Sequence, residues 1–202
     1  MKVDHWQNIY INKNNDQVSW TQQYPQVAMD YIISLNLPLS ASIIDVGGGT
    51  GNFVDALLDL GYKNISVLDI SDAALAKSKT RLGDRASLVT WIIADITTFV
   101  PVDIYDFWYD RAVFHFLTDN RHIQSYLHTV STSLVSGGHF LIGTFSENGP
   151  LKCSGLEIRR YSEEKLKQTF QDTFITSQCF KHIHTTPFDS FQEFQYCGFI
   201  RR

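Results

Sequence analysis

The segment DVGGGTG, Asp45–Gly51, has the composition of a loop that holds a nucleotide against the backbone. Glycine loses more conformational freedom on folding than any other residue, so a run of glycines is expected where a ligand must approach closely. A dinucleotide fingerprint GxGxxG that starts at Gly47 would need its last glycine at Asn52, and no GK[ST] of a P-loop follows. The pattern that fits is acidic–x–Gly–x–Gly–x–Gly, beginning at Asp45.

Histidine side chains further along the chain are candidates for acid–base chemistry. Histidine titrates close to neutral pH, and His115, in VFHFL, is the leading candidate for a general base. His184, in KHIHTTP, is the second candidate, and the alternative for His115 is a packed polar side chain at the start of a helix. His182 and His184 share a strand face, but no carboxylate or cysteine stands at ligand spacing, so no metal is expected. Cys153 has no adjacent histidine and is expected to be an unreactive packed thiol.

Strand-like and helix-like segments alternate over most of the chain. Short apolar runs predict strands at 42–46, 65–69, 88–94, 104–109 and 139–145. Helical spacing and capping residues predict helices at 25–35, 52–60, 71–82 and 119–134, and another from residue 162. Two final strands, 174–180 and 191–200, are joined by a loop too short for a crossover helix. The sequence therefore predicts an α/β, Rossmann-like doubly wound sheet of seven strands, mostly parallel with the last strand antiparallel.

Composition limits the remaining possibilities. A chain of 202 residues, 44% of them hydrophobic, suits one domain: a flap and helix at 1–36, a cofactor-binding core at 40–145, and a substrate-side loop, helix and hairpin at 146–202. A net charge of −4 disfavours a nucleic-acid partner. The sparse Cys153, Cys179 and Cys197 argue against a disulfide framework and a structural zinc site. The polar amino terminus and the lack of a long apolar run predict a cytoplasmic protein without a membrane span.

The glycine pattern resembles motif I of class I S-adenosylmethionine-dependent methyltransferases, and the predicted strand order is similar to that family. The resemblance implies S-adenosyl-L-methionine as the cofactor and S-adenosyl-L-homocysteine as the product. It places Asp69, at the end of the second strand, on the ribose hydroxyls, because a carboxylate is an acceptor for two donors. It places Asp95 and the backbone of Ile96 on the adenine. The other implied cofactor contacts are Trp20, Asp45, Gly47, Gly49, Gly51, Ile70 and Tyr109.

Two further segments resemble particular branches of that family. The segment YDRAVFHF resembles thiopurine methyltransferases, which carry Asp-Arg-Gly or Asp-Arg-Ala after the fourth strand. The amino-terminal HWQNIY and VSW resemble small methyltransferases that include lysine methyltransferases acting on elongation factors. Neither resemblance fixes the substrate. Asp110, Arg111 and His115 are the predicted catalytic residues, with Arg111 either orienting an acidic substrate or pairing with a carboxylate.

Aromatic residues in the first segment leave two interpretations open. Trp6, Tyr10 and Trp20 either close a flap over the cofactor, whose sulfonium cation benefits from ring faces, or fasten the segment to the first helix. The predicted function is methyl transfer from S-adenosylmethionine to a small-molecule acceptor. A protein lysine methyltransferase and a non-catalytic cofactor-binding scaffold are the alternatives.

Overall fold

Strands and helices alternate in a computed structural model that describes residues 2–202. The strands are β1 (Ser42–Val46), β2 (Asn64–Asp69), β3 (Val89–Ile93), β4 (Tyr105–Arg111), β5 (Leu134–Phe145), β6 (Lys152–Cys153), β7 (Leu156–Glu157), β8 (Phe174–Thr185) and β9 (Phe191–Arg201). The helices are α1 (Val3–Asn12), α2 (Gln26–Leu35), α3 (Phe53–Leu60), α4 (Asp72–Leu82), α5 (Asn120–Ser133) and α6 (Glu163–Phe170).

Seven of the strands form one sheet in the order β3-β2-β1-β4-β5-β9-β8, and β6 and β7 form a separate hairpin. The five strands from β3 to β5 pair in parallel, whereas β9 runs antiparallel to both β5 and β8. The predicted fold class, with its antiparallel last strand, is confirmed. Successive strands are added on one side of β1 up to β3 and on its other side from β4 onward. Ligands bind at this switch point, between β1 and β4, in sheets of this kind.

Local signals in the sequence set the helix ends. The side chain of Ser71 accepts a hydrogen bond from the backbone N–H of Ala74 at the start of α4, and Asp119 accepts one from Arg121 at the start of α5. Gly61 ends α3 in the left-handed conformation that favours glycine. The predicted helices therefore agree with the structure to within a residue or two.

Successive side chains of β4 point to opposite faces of the sheet, and each face carries its own apolar layer. Phe107 and Tyr109 pack with residues of α2 and α3, whereas Trp108 packs with residues of α5 and α6. The strand is buried on both faces, as a central parallel strand must be when helices cover both sides. Consecutive side chains at the end of β4 consequently reach different environments.

Three elements differ from the sequence-based expectation. The first segment contains the helix α1, which its polar composition concealed. Strand β8 continues to Thr185, beyond the predicted end at residue 180, so the final loop is shorter than expected. The small hairpin β6–β7 was not predicted, since two-residue strands leave no periodic pattern.

The expectation that the sparse cysteines form no disulfide was wrong. Cys179 on β8 and Cys197 on β9 are directly paired across the two strands, with Cα atoms 4.2 Å apart, and they form a disulfide. Their separation of 18 residues in the sequence gave no sign of this pairing, which follows from the register of the hairpin. Cys153 is the free cysteine.

Two structural features are absent from residues 2–202. No helix in this range is long and apolar enough to cross a membrane. No group of three or more His, Cys, Asp or Glu side chains in the same range is placed to hold a metal ion.

Candidate active site

A cavity of about 1080 Å³, including part of its open mouth, lies at the carboxyl ends of β1, β2 and β4. Most of the predicted site residues line it: Trp20, Asp45, Gly47, Gly51, Asp69, Ile70, Ile96, Tyr109 and Arg111. Gly49, Asp95, Asp110 and His115 are not among its lining residues.

The glycine loop crosses the floor of this cavity in a conformation that excludes side chains. Gly47 has a φ of +71°, and a Cβ atom there would collide with the side chain of Val113. Gly49 has a φ of +50°, and a Cβ atom there would lie 2.7 Å from the hydroxyl of Tyr10. The backbone N–H groups of Gly47 and Gly48 both donate to the carbonyl of Leu68, which fixes the loop to the end of β2. Glycine is thus required by both backbone angle and space.

Two side chains of α4 hold the carbonyl groups of the loop. The hydroxyl of Ser78 donates to the carbonyl of Gly49 over 2.7 Å. Arg81 donates to the carbonyls of Thr50 and Gly51 over 2.9 and 2.8 Å, and it also pairs with Asp55. Sequence analysis missed both residues. Ser78 and Arg81 are three residues apart and so lie on one face of α4, but this spacing is common on helices and does not by itself indicate contact with a loop.

Two buried carboxylates stand side by side at the ends of β1 and β2. Burial, with contributions from the Asp69 and Asp110 carboxylates, raises the pKa of Asp45 to about 8. Burial also raises the pKa of Asp69, to about 6, although backbone N–H groups of Ser71, Gly49 and Ile70 donate to it and oppose the rise. The carboxylate of Asp69 therefore belongs to a hydrogen-bonded turn that includes the glycine loop.

The segment that follows β3, at Asp95, is more exposed to solvent than the buried Asp45 and Asp69. The carboxylate of Asp95 accepts hydrogen bonds from the backbone N–H and the hydroxyl of Thr97, at 2.9 and 2.7 Å. Ile96 is buried and lines the cavity, as does Ala94 on the other side of Asp95. The segment around Asp95 thus reaches the cavity through its neighbours.

Aromatic side chains of the first segment cover the cavity. The ring of Trp6 lies 5.8 Å from Trp20 and 5.0 Å from Phe116, and Tyr10 lies 6.1 Å from Trp20, measured between ring centroids. Trp6 and Tyr10 are buried, and both line the cavity with Trp20. The first segment therefore lies over the glycine loop, where the hydroxyl of Tyr10 lies next to Gly49.

Asp110 points away from the cavity. Its carboxylate accepts a hydrogen bond from the hydroxyl of Tyr126 over 2.7 Å and others from the backbone N–H groups of Val113 and Phe114. Burial raises the pKa of Asp110 to about 6, and these hydrogen bonds oppose the rise. The structure gives this side chain the position of a cap for the turn at 114–116.

Arg111, the next residue, lines the cavity. Its Nη1 donates to the carbonyl of Trp20 over 2.9 Å, and its guanidinium lies 4.7 Å from the centre of the Phe194 ring. Ala112 has a φ of +72°, which is uncommon for a residue with a Cβ atom, and its N–H donates to the carbonyl of Gly143. This strained turn sets the direction in which the chain leaves β4.

His115 is completely buried beside this turn. Its Nδ1 accepts a hydrogen bond from the backbone N–H of Phe145 over 3.3 Å, which leaves the ring proton of the neutral form on Nε2. Burial, together with the charge of Arg111, lowers the pKa of His115 to about 3. His184, the second candidate base, bonds through Nε2 to the carbonyl of Ser19, and burial lowers its pKa to about 4.

Cys153 lines the cavity from the hairpin β6–β7. Burial raises the pKa of its thiol to about 11, so the thiol is neutral near pH 7. The predicted inert, packed cysteine agrees with this environment.

A family model described as a methyltransferase domain matches residues 44–140, which include the glycine loop and the strand ends that line the cavity. The solved structure of the N-methyltransferase NodS from Bradyrhizobium japonicum WM9, in complex with S-adenosyl-L-homocysteine, has a TM-score of 0.72 at 16% identity and covers 100% of this chain and 99% of that chain. The resemblance to class I S-adenosylmethionine-dependent methyltransferases that the motifs indicate is confirmed by this match and by the fold.

Two curated relatives are similar over part of their length. Nodulation protein S of Sinorhizobium fredii is 26% identical over 112 residues, which cover 55% of this chain and 51% of that protein. Malonyl-[acyl-carrier protein] O-methyltransferase 1 of Ilyobacter polytropus is 31% identical over 105 residues, which cover 52% of this chain and 38% of that protein. The chain therefore matches about half or less of the length of these relatives.

Proposed function

We propose that the chain catalyses the S-adenosylmethionine-dependent transfer of a methyl group to a small-molecule acceptor. The observation that carries the proposal is that the glycine loop, at Gly47, Gly48 and Gly51, and the buried carboxylate of Asp69 line the same cavity. Such a cavity has room beside the backbone and an acceptor for hydroxyl donors, so these residues fit a nucleoside cofactor. The similar proteins include an N-methyltransferase and an O-methyltransferase, which supports the same reaction class.

The residues around the cavity have distinct proposed roles toward the cofactor. Asp69 binds the ribose hydroxyls, and Asp95 with the N–H of Ile96 binds the adenine. The loop at Gly47, Gly49 and Gly51 offers its backbone, with Asp45 beneath it. Ile70, Tyr109 and Trp20 complete the walls. A cofactor bound there supplies a methyl group on a sulfonium, from which it leaves readily.

The chain contributes mainly alignment and exclusion of water to the transfer. Trp6, Tyr10 and Trp20 cover the cavity, and Arg111 on its wall orients the acceptor. Asp110 holds the turn that carries both Arg111 and His115. A pKa of about 3 makes His115 a weak base at neutral pH, and its ring proton on Nε2 suits it to donate a hydrogen bond.

The cover of aromatic side chains favours a small acceptor over a protein side chain. A protein substrate would need an open channel, whereas the Trp6 ring contacts both Trp20 and Phe116 above the cavity. The net charge of −4 gives no attraction for a nucleic-acid acceptor. The cytoplasmic location expected from the amino terminus stays a prediction.

We treat residues 1–202 as one methyltransferase domain. The large sheet takes strands from residues 42 to 201, and the first segment covers the cavity that this sheet forms. The three regions 1–36, 40–145 and 146–202 therefore contribute a cover, a cofactor-binding core and an acceptor side to one site.

Calorimetric titration with S-adenosylmethionine and S-adenosylhomocysteine tests the cofactor proposal. We expect Asp69→Ala to weaken binding by about tenfold or more, because a hydrogen bond to a charged group contributes about 1.5–3 kcal/mol. The exposed Asp72→Ala, at the start of α4, is the matched control and is expected to bind normally. Failure of the unaltered chain to bind either ligand would exclude the methyltransferase function, and turnover with a panel of thiols, amines and acids would then have no basis.

A further inference from the structure

Two nitrogen atoms of the Arg111 guanidinium have no hydrogen-bond partner in the protein. Its Nη1 donates to the carbonyl of Trp20 over 2.9 Å. Its Nε and Nη2 are buried, and neither has a hydrogen-bond partner. These two nitrogens lie on one edge of the planar guanidinium, where their N–H groups point in parallel. That edge matches the two oxygen atoms of a carboxylate.

The charge of Arg111 is not balanced by the protein. Among residues 2–202, no aspartate or glutamate forms an ion pair with it. The titratable groups whose pKa values respond to Arg111 are Tyr109, His115, Cys153, His182 and His184. Burial holds each of them in its neutral form near pH 7. A cation that is largely withdrawn from water without an anion is costly, so the site gains stability from an anionic ligand.

The surroundings of Arg111 indicate the acceptor side of the cavity. The Arg111 side chain begins at the end of β4 and extends over the Phe194 ring of β9, which lies beyond β5 in the sheet. Asp69 lies at the end of β2, in the opposite direction from β4. The strands that carry Asp69 and Arg111 are therefore separated by β1.

We propose that the methyl acceptor carries a carboxylate and that the Nε and Nη2 groups of Arg111 bind its two oxygen atoms. The inference rests on the proposed methyltransferase function and adds the chemical class of its substrate. The walls nearby are apolar, formed by Trp6, Phe116 and Cys153. An acid with a small apolar body fits this environment.

Matched acids and amides test the proposal on the protein saturated with S-adenosylhomocysteine. Benzoate with benzamide and hexanoate with hexanamide, titrated by calorimetry and by changes in the NMR signal of the Arg111 Nε–H, are suitable probes. We expect each acid to bind at least about tenfold more tightly than its amide, since only the acid is charged. Arg111→Met is expected to abolish this preference. Arg111→Lys keeps the charge without the parallel N–H groups, so it is expected to lose most of the preference while remaining folded.

Controls separate this inference from the cofactor proposal. The exposed Arg121→Met should leave the preference for acids unchanged, because the Arg121 side chain is 89% exposed. Binding of S-adenosylhomocysteine is measured first on the unaltered chain, where a failure to bind would overturn the proposed function itself. Equal binding of acids and amides, or tighter binding of inorganic phosphate than of either acid, would overturn the carboxylate proposal.

The cofactor also has a carboxylate, and a second titration distinguishes the two sources. 5′-Methylthioadenosine has the nucleoside and sulfur of the cofactor without its amino-acid part. If Arg111→Met weakened S-adenosylhomocysteine but not 5′-methylthioadenosine, Arg111 would hold the cofactor and the acceptor assignment would be wrong. If Arg111→Met bound both ligands as tightly as the unaltered chain but lost the preference for acids, the assignment of Arg111 to the acceptor would be supported.

Discussion

The hydroxyl of Tyr126 donates a hydrogen bond to Oδ2 of Asp110 over 2.7 Å, and both side chains are completely buried. Oδ1 of the same carboxylate accepts from the backbone N–H groups of Val113 and Phe114. Asp110 thus joins α5 to the turn that follows β4. Because Arg111 and His115 belong to that turn, the contact positions them without reaching the cavity.

We expect Tyr126→Phe to lower the free energy of unfolding by about 1.5–3 kcal/mol, since it removes a hydrogen bond to a buried carboxylate. Unfolding in urea, followed by circular dichroism, measures the change. Tyr24→Phe is the control, because Tyr24 is 50% exposed and its loss should change stability by less than about 0.5 kcal/mol. Equal stability of Tyr126→Phe and the unaltered chain would remove the structural role assigned to Asp110.

Gly47→Ala is expected to lower both stability and affinity for S-adenosylhomocysteine. The new Cβ atom would meet Val113 at a backbone angle that alanine rarely adopts, so the loop must move. Gly83→Ala provides a matched control: Gly83 also has a positive φ, +58°, but nothing lies within 4 Å of its added Cβ. Both variants should unfold at a lower midpoint temperature, because alanine is strained at a positive φ. Calorimetry should show weaker binding of S-adenosylhomocysteine only in Gly47→Ala. Weaker binding in both would mean that backbone strain alone controls the affinity.

The stability of the ligand-free protein should depend on pH through Asp45. Burial, reinforced by Asp69 and Asp110, raises the pKa of Asp45 from 3.8 to about 8 in the folded state. A raised folded-state pKa means that the contribution of the group is complete below its unfolded value and is lost as the pH rises through about 8. Compared with Asp45→Asn, the unaltered chain should therefore lose stability between about pH 5 and about pH 8.

Urea unfolding at several pH values over this range measures that difference. Asp84→Asn, at an exposed position, serves as the control and should follow the unaltered chain. Parallel curves for Asp45→Asn and the unaltered chain would show that Asp45 does not change its protonation state in this range.

The cysteines should differ in their reaction with iodoacetamide. Cys179 and Cys197 are paired, and Cys153 is buried with its pKa raised to about 11 by that burial. The native protein should react slowly, the unfolded protein without reductant should take one label, and the reduced protein should take three, one for each cysteine. Mass spectrometry counts the labels. Three labels before reduction would contradict the pairing.

Much of the fold and part of the site could be predicted because their signals are local. Glycines at 47, 49 and 51 need a particular backbone angle or space, and carboxylates at 45 and 69 follow apolar runs that only a buried strand explains. In a parallel sheet, the carboxyl ends of strands meet along one edge, so residues that follow such runs come together without any further information. The flap residues at 6, 10 and 20 were also recognisable, although only the structure places them over the loop.

The sequence by itself determined the succession of strands and helices along the chain, the glycine loop and the strand-end carboxylates, because backbone angle and period are properties of short segments. Tertiary structure alone decided which of two adjacent residues faces the cavity: Asp110 turns toward Tyr126, and Arg111 turns toward Trp20. It also decided that Cys179 pairs with Cys197, and that Ser78 and Arg81 hold the glycine loop. Each of these depends on contacts between segments that are distant in the chain, and such contacts are set by packing and register, which no short pattern records.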